Sequence, residues 1–183
     1  MTKYELFLMD WIQQQMQFPL LKSVLLFFTK IGDYGIVWIA LAVFLVLFKR
    51  TRKLGITVSI TLLLMLIVNN GILKNVIERV RPCQIHAQIN QIIECPTSFS
   101  FPSGHSSSSF AVLGVFLFTQ SVKAHWKWLV FVVAFLIAFS RVYLYVHFPS
   151  DIVAGASVGI VLAWVAVYWI APRVKVCSDD DII

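Results

Sequence analysis

Residues 54–77, LGITVSITLLLMLIVNNGILKNVI, carry no charged side chain until Lys74. A helix needs roughly 20 apolar residues to cross a hydrocarbon core. Strand-length alternation is absent here, and lipid leaves a backbone amide no partner outside its own helix, so the run reads as a spanning helix that places a lysine near one end. Three further runs, 105–122, 128–145 and 151–171, meet the same criterion, and Tyr34–Phe48 forms a shorter fifth. The expected fold is an all-α integral-membrane bundle of about five transmembrane helices.

Composition agrees with that class. Of 183 residues 59% are hydrophobic and 13% charged, too apolar for a soluble domain of this length. The chain reads as one membrane domain: N-terminal helices over 1–30, the bundle over 34–171, and a cytoplasmic tail over 172–183. In residues 4–17, Leu6, Met9, Trp11 and Ile12 mix with Glu5, Asp10 and glutamines, a pattern that suits a helix lying in the interface. Phe18–Lys30 is interrupted by Lys22 and opened by Pro19. The alternative is a tilted sixth span over 4–30. No basic leader precedes an apolar core with a small-residue cleavage site, so a signal peptide is not expected.

Basic residues set the expected orientation. Lys49, Arg50, Arg52 and Lys53 follow the first span, Lys123 and Lys127 lie between the third and fourth, and Arg173 and Lys175 follow the last. Alternating helices put all of them on one side, and a Lys/Arg excess marks the cytoplasmic side. The net charge of +6 is then a matter of topology, with no soluble basic face for nucleic acid. The loop 82–101 and the turn 146–150 fall on the opposite, extracytoplasmic side. Cys83 and Cys95 share that loop and are read either as a disulfide or as two thiols, whereas Cys177 belongs to the tail. His86 lacks a recognisable ligand spacing, so no metal is expected.

Three clusters gather at that outer end. Lys74 and Arg81 are seven positions apart, two turns of one helix face, with Pro82 expected to end the helix. Arg79 is read as a headgroup-seeking side chain. Pro102-Ser103-Gly104-His105 stands where a loop becomes a helix, whose free amides bind anions, with Gly104 permitting close approach and His105 able to donate a proton. Ser106–Ser109 follow as small packing residues. Ser140-Arg141 precedes His147 and Asp151; a carboxylate bonded to one imidazole nitrogen leaves the other able to attack, and Asp151 is also a natural helix cap. Three cations around two histidines suit phosphoryl transfer, which needs a neutralised phosphate and an aligned nucleophile.

These motifs resemble the three-part signature of the type 2 phosphatidic acid phosphatase family, the membrane lipid phosphatases, over about residues 70–155. The resemblance implies that His147 attacks phosphorus to give a phosphohistidine and Asp151 orients it. It also implies that His105 protonates the leaving group, that Lys74, Arg81, Ser103, Gly104 and Arg141 cradle the phosphate, and that neither metal nor cofactor takes part. The implied substrate is a membrane lipid phosphate or diphosphate, undecaprenyl diphosphate first, then phosphatidylglycerophosphate or phosphatidate. Two departures stand out. Tyr145 occupies a position that is commonly glycine, and its ring is expected to narrow the pocket or stack on substrate; the usual first span is reduced. Rival readings are a lipid phosphotransferase, a transporter lined by the same charges, and a vanadate-holding haloperoxidase, the last disfavoured by the hydropathy.

Overall fold

A computed structural model describes residues 2–85 and 92–174; His86, Lys175, Cys177 and the tail from 175 lie outside the described residues. Among the described residues the regular structure is helical throughout: α1 (Thr2–Gln15), α2 (Pro19–Gly32), α3 (Ile36–Leu47), α4 (Arg52–Met65), α5 (Lys74–Ile77), α6 (Pro82–Ile85), α7 (Gly104–Phe118), α8 (Ala124–Tyr143) and α9 (Pro149–Val165). Four stretches are long and apolar enough to cross a membrane, Pro19–Leu47, Arg52–Ile85, Ala124–Tyr143 and Pro149–Arg173, and Gly104–Phe118 is a shorter apolar helix.

Several boundaries differ from expectation, each for a local reason. Residues 4–30 form the two separate helices expected and not the single span of the alternative reading, because Phe18 is extended and Pro19 starts a new one. The 34–48 run begins only at Ile36, since Tyr34 and Gly35 are left-handed (φ 55° and 70°) and kink the chain between α2 and α3. Expected to run to 122, α7 ends at Phe118: Thr119 bonds its hydroxyl back to Val115 O at 2.7 Å, turns extended and ends the helix. Between α4 and α5 the backbone widens into a π-helical stretch, Leu66–Leu73, which leaves Asn69 fully buried.

The short α7 sits in the middle. Ser106 to Ser109 and Ala111 to Phe116 are all buried, so this helix meets mainly protein rather than lipid and its length need not match the bilayer. The surrounding helices turn large apolar side chains outward, among them Phe44, Leu63, Phe135 and Val161. The seam between α7 and α9 depends on Gly155 and Gly159. A Cβ at Gly155 would stand 2.6 Å from Ser103 O, and one at Gly159 would stand 2.7 Å from Ala111 N, so only hydrogen fits where the backbones touch. The α7 serines also bond across the bundle: Trp38 Nε1 donates to Ser109 Oγ at 3.0 Å, and Ser107 Oγ donates to Asn69 Oδ1 at 2.7 Å.

Helix alternation places the α3–α4 turn, the α7–α8 turn and the end of α9 together. Lys127 Nζ reaches Leu117 O there, and the Phe118 ring packs at a tilt against Tyr168. At the opposite end the N-termini of α7 and α9 meet, with Ser103 N donating to Asp151 O at 3.1 Å. That end carries the three motifs.

Candidate active site

The helix bearing Lys74 stops at Ile77, where Glu78 adopts a left-handed cap (φ 48°), so Lys74 and Arg81 do not share a helix face and Pro82 starts α6 instead of ending a helix. A proline disfavours helix in the residue before it. Residues two apart in an extended chain point to one side, and Arg79 and Arg81 both turn toward the 146–151 segment. Arg81 is buried, and its guanidinium is held by Ser98 O (2.7 Å), Ser98 Oγ (3.0 Å), Phe99 O (3.3 Å) and Val146 O (2.8 Å). Just before Ser98 and Phe99 the chain is closed by a Cys83–Cys95 disulfide, Cα atoms 6.0 Å apart, which resolves the two cysteine readings in favour of the bridge.

His147 lies in the tight link from α8 to α9. Val146 N and His147 N both donate to Arg141 O, and Tyr145 reverses the chain with φ 63°. That left-handed geometry explains why glycine suits this position. The expected role of the Tyr145 ring is corrected: it is buried, its hydroxyl donates to Asp10 Oδ1 at 2.8 Å, and it is not among the cavity-lining side chains.

Arg81 Nη1 stands 3.0 Å from His147 Nε2. A guanidinium only donates, so Nε2 accepts and the ring proton sits on Nδ1, which faces Asp151 Oδ2 at 3.5 Å and Ser100 Oγ at 3.4 Å. Burial pushes the His147 imidazole down to about 3, against the opposing pull of Asp151, so the ring is neutral at pH 7. Asp151 is fully buried at the third position of α9: Oδ2 accepts from Phe148 N (2.9 Å) and Ser100 Oγ (2.5 Å), and Oδ1 accepts from Arg79 Nη1 (2.5 Å). It therefore caps the helix and faces the histidine at once.

A cavity of about 700 Å³ opens in front of His147, lined by Lys74, Arg81, Gly104, His105 and Arg141 on its polar side and by Ile39, Leu62 and Leu66 on another. Arg141 is buried, with Nη1 on Thr29 Oγ1 at 2.5 Å and Nε without a partner among the described residues. The Lys74 ammonium has neither a hydrogen bond nor an ion pair among the described residues. The first amides of α7, at Gly104 and His105, have no intrahelical acceptor, and a Cβ at Gly104 would meet nothing closer than Asn70 Oδ1 at 3.6 Å, so it would project into the cavity. Ser103 is placed differently: fully buried, it caps α7 by accepting from Ser106 N and Ser106 Oγ, and it does not line the cavity.

Four participants escaped the sequence reading. Arg79, read as a headgroup-seeking arginine, instead bonds Asp151, Ser150 Oγ (2.6 Å) and Glu5 Oε2 (2.8 Å). Burial raises the Glu5 carboxyl, but Ser150 and Arg79 outweigh it and hold the group below its ordinary value. Asp33, in the kink before α3, sits 3.0 Å from His105 Nε2; a lone acidic residue among apolar runs was the available signal. Ser100 completes the set. Among the described residues no group of three or more His, Cys, Asp and Glu side chains is placed to hold a metal ion.

The family model described as the PAP2 superfamily matches residues 53–175, two thirds of the chain, and spans all three motifs. The chain belongs to the PAP2 superfamily. This PAP2 protein is 34% identical over 152 residues to the undecaprenyl-diphosphatase of Sulfolobus acidocaldarius, covering 82% of this chain and 69% of that one. The crystal structure of a transmembrane PAP2-type phosphatidylglycerolphosphate phosphatase from Bacillus subtilis matches with a TM-score of 0.73 and 26% identity, over 95% of this chain and 87% of the other. That of Aquifex aeolicus LpxE matches with 0.70 and 28%, over 90% and 94%. The family read from the three motifs is borne out, and the chain is a multi-pass membrane protein of the PAP2 phosphatase type.

Proposed function

We propose that this PAP2 protein hydrolyses a membrane lipid phosphate or diphosphate through a phosphohistidine on His147. The observation that carries the reading is the His147 ring, protonated on Nδ1 behind and offering the Nε2 lone pair to a cavity whose polar wall holds Lys74, Arg81 and Arg141. In the first step Nε2 forms a bond to phosphorus as the bond to the leaving oxygen breaks; the imidazolium that develops keeps its Nδ1 proton and is balanced by Asp151. His105, held by Asp33, gives its proton to the leaving oxygen. In the second step water attacks phosphorus, returns a proton to His105, and releases inorganic phosphate with a neutral His147. The cations and the α7 amides stabilise the equatorial oxygens, and the part-bonded guanidinium of Arg141 is suited to an incoming anion. This mechanism uses no metal.

Undecaprenyl diphosphate is the first candidate substrate, because the Sulfolobus relative is an undecaprenyl-diphosphatase; phosphatidylglycerophosphate and phosphatidate follow. The apolar wall from α3 and α4 suits a chain that stays in the bilayer. We place the site on the extracytoplasmic side, because Lys53, Lys123, Lys127 and Arg173 lie at the other end of the bundle, with α1 on the site side, where Glu5 meets Arg79 and Ser150. Phosphate release by the purified protein in detergent from these three lipids tests the reading. Release is expected for at least one of them, inhibited by vanadate well below the substrate concentration and absent in His147→Ala. Release undiminished in His147→Ala would overturn it, and no release from any lipid phosphate would favour transport.

A further inference from the structure

Asp151 is wholly buried, and a buried carboxylate needs both a countercharge and a partner on each oxygen. Oδ2, the oxygen nearest His147, is served by Phe148 N and Ser100 Oγ. Among the described residues Oδ1 has Arg79 alone. Arg79 is in turn locked: Nη1 also donates to Ser150 Oγ, Nη2 donates to Glu5 Oε2, and the guanidinium lies 4.0 Å over the Phe148 ring. The other Glu5 oxygen accepts from Ser150 N at 3.0 Å, so Glu5, Arg79 and Ser150 form a closed ring against the first turn of α9.

Glu5 belongs to α1, otherwise distant from the reacting atoms. This helix is amphipathic in an informative way: Tyr4, Phe7 and Trp11 are exposed, whereas Glu5, Asp10 and Gln13 face the segment 143–150. The polar face of α1 is therefore spent on the catalytic turn.

We infer that Arg79, clamped by Glu5 and Ser150, is the positioning residue that aims the Asp151 carboxylate at His147, which makes α1 part of the active-site scaffold. The inference rests on the phosphohistidine reading of this site. The charged and titratable groups facing His147 are Asp151 from α9, Arg81 from the segment before α6 and Arg141 from α8, while Lys74, His105 and Glu94 share the cavity. Without Arg79 the negative charge of Asp151 is uncompensated, which makes His147 bind protons more readily. His147 must be unprotonated to attack, so the acid limb of activity moves to higher pH.

The test uses the full chain in detergent with a lipid phosphate that the wild type hydrolyses; a wild type inactive on all of them is a failure of the functional reading, not of this one. Arg79→Gln is expected to lower kcat by about 10–100-fold with KM nearly unchanged and to move the acid limb upward. Glu5→Gln is expected to produce the same changes more weakly, and the double variant to be no worse than Arg79→Gln, because the two act as one unit. Asp10→Asn, which loosens α1 at Tyr145 but leaves the ring of contacts whole, should keep the wild-type limb. The inference is overturned by near-wild-type kcat in Arg79→Gln, by additive losses, or by a loss without movement of the acid limb that Asp10→Asn reproduces.

Discussion

Arg81 Nη1 and His147 Nε2 lie 3.0 Å apart, a donor against the lone pair of the ring. In the proposed mechanism Arg81 thereby occupies the direction from which phosphorus approaches, and its N–H turns from the ring to donate to an oxygen of the bound phosphate. The fork geometry matters as well as the charge, since four backbone and hydroxyl acceptors fix the plane. Arg81→Lys keeps the charge and loses the fork. The expected cost in kcat/KM is about 10²–10³-fold, read from phosphate release.

The pH dependence of stability follows from the buried neutral His147. Its ordinary value of 6.5 is lowered to about 3 in the folded state, with burial the largest cause. Unfolding lets the ring take a proton that the folded state refuses, so this contribution is present above about 6.5 and is lost as pH falls toward about 3. Thermal unfolding in detergent should show a falling Tm across that window. His147→Gln, which does not titrate, should flatten the slope; an unchanged slope would assign the effect to other groups.

In the proposed mechanism Asp33 holds the proton donor, His105. Its carboxylate faces His105 Nε2 at 3.0 Å from a kink between α2 and α3 that is half open to solvent. Asp33→Asn is expected to lower kcat by about tenfold or more while leaving KM nearly unchanged, in the range seen for orienting partners. The effect should be smaller for substrates with a better leaving group, where protonation matters less.

The Cys83–Cys95 bridge closes the segment that leads directly into Ser98, Phe99 and Ser100, which hold Arg81 and Asp151. Cys83→Ser with Cys95→Ser is expected to lower stability by about 2–4 kcal/mol and to reduce activity, as is treatment with a thiol reductant. Equal activity of oxidised and reduced protein would show that the loop holds its shape without the bridge.

Gly159 is where two backbones touch. Any side chain there meets Ser107 O and Ala111 N rather than a flexible side-chain tip. Gly159→Leu should destabilise by about 1–3 kcal/mol or more, measured by thermal unfolding. Gly71→Ala, where an added Cβ meets nothing within 4 Å, should be neutral or mildly stabilising.

Much of the molecule could be read along the chain because the bilayer imposes a one-dimensional rule: a run of twenty apolar residues has few fates other than a spanning helix. The same rule makes Lys74, His105 and Arg141 conspicuous, since a charge at the end of such a run needs a reason. The motifs therefore named the family and the cavity wall before any coordinates. Where the reading erred, tertiary contacts overrode a local pattern. Tyr145 turned from the cavity to Asp10, 135 positions away.

Only the tertiary structure decided which charges meet. Arg79 and Asp151 are 72 positions apart, Asp33 and His105 also 72, and Glu5 and Arg79 74. Hydropathy records how much of a segment is buried, but an ion pair depends on where two chain segments end in space and on which oxygen still lacks a donor. The composition and spacing of this chain determined a helical membrane bundle with its cations at one end, and the resemblance of its motifs pointed to the phosphatase family. The kink at Tyr34, the early end of α5 at Glu78 and the reversal at Tyr145 decided how those cations, two histidines and their carboxylates face one another.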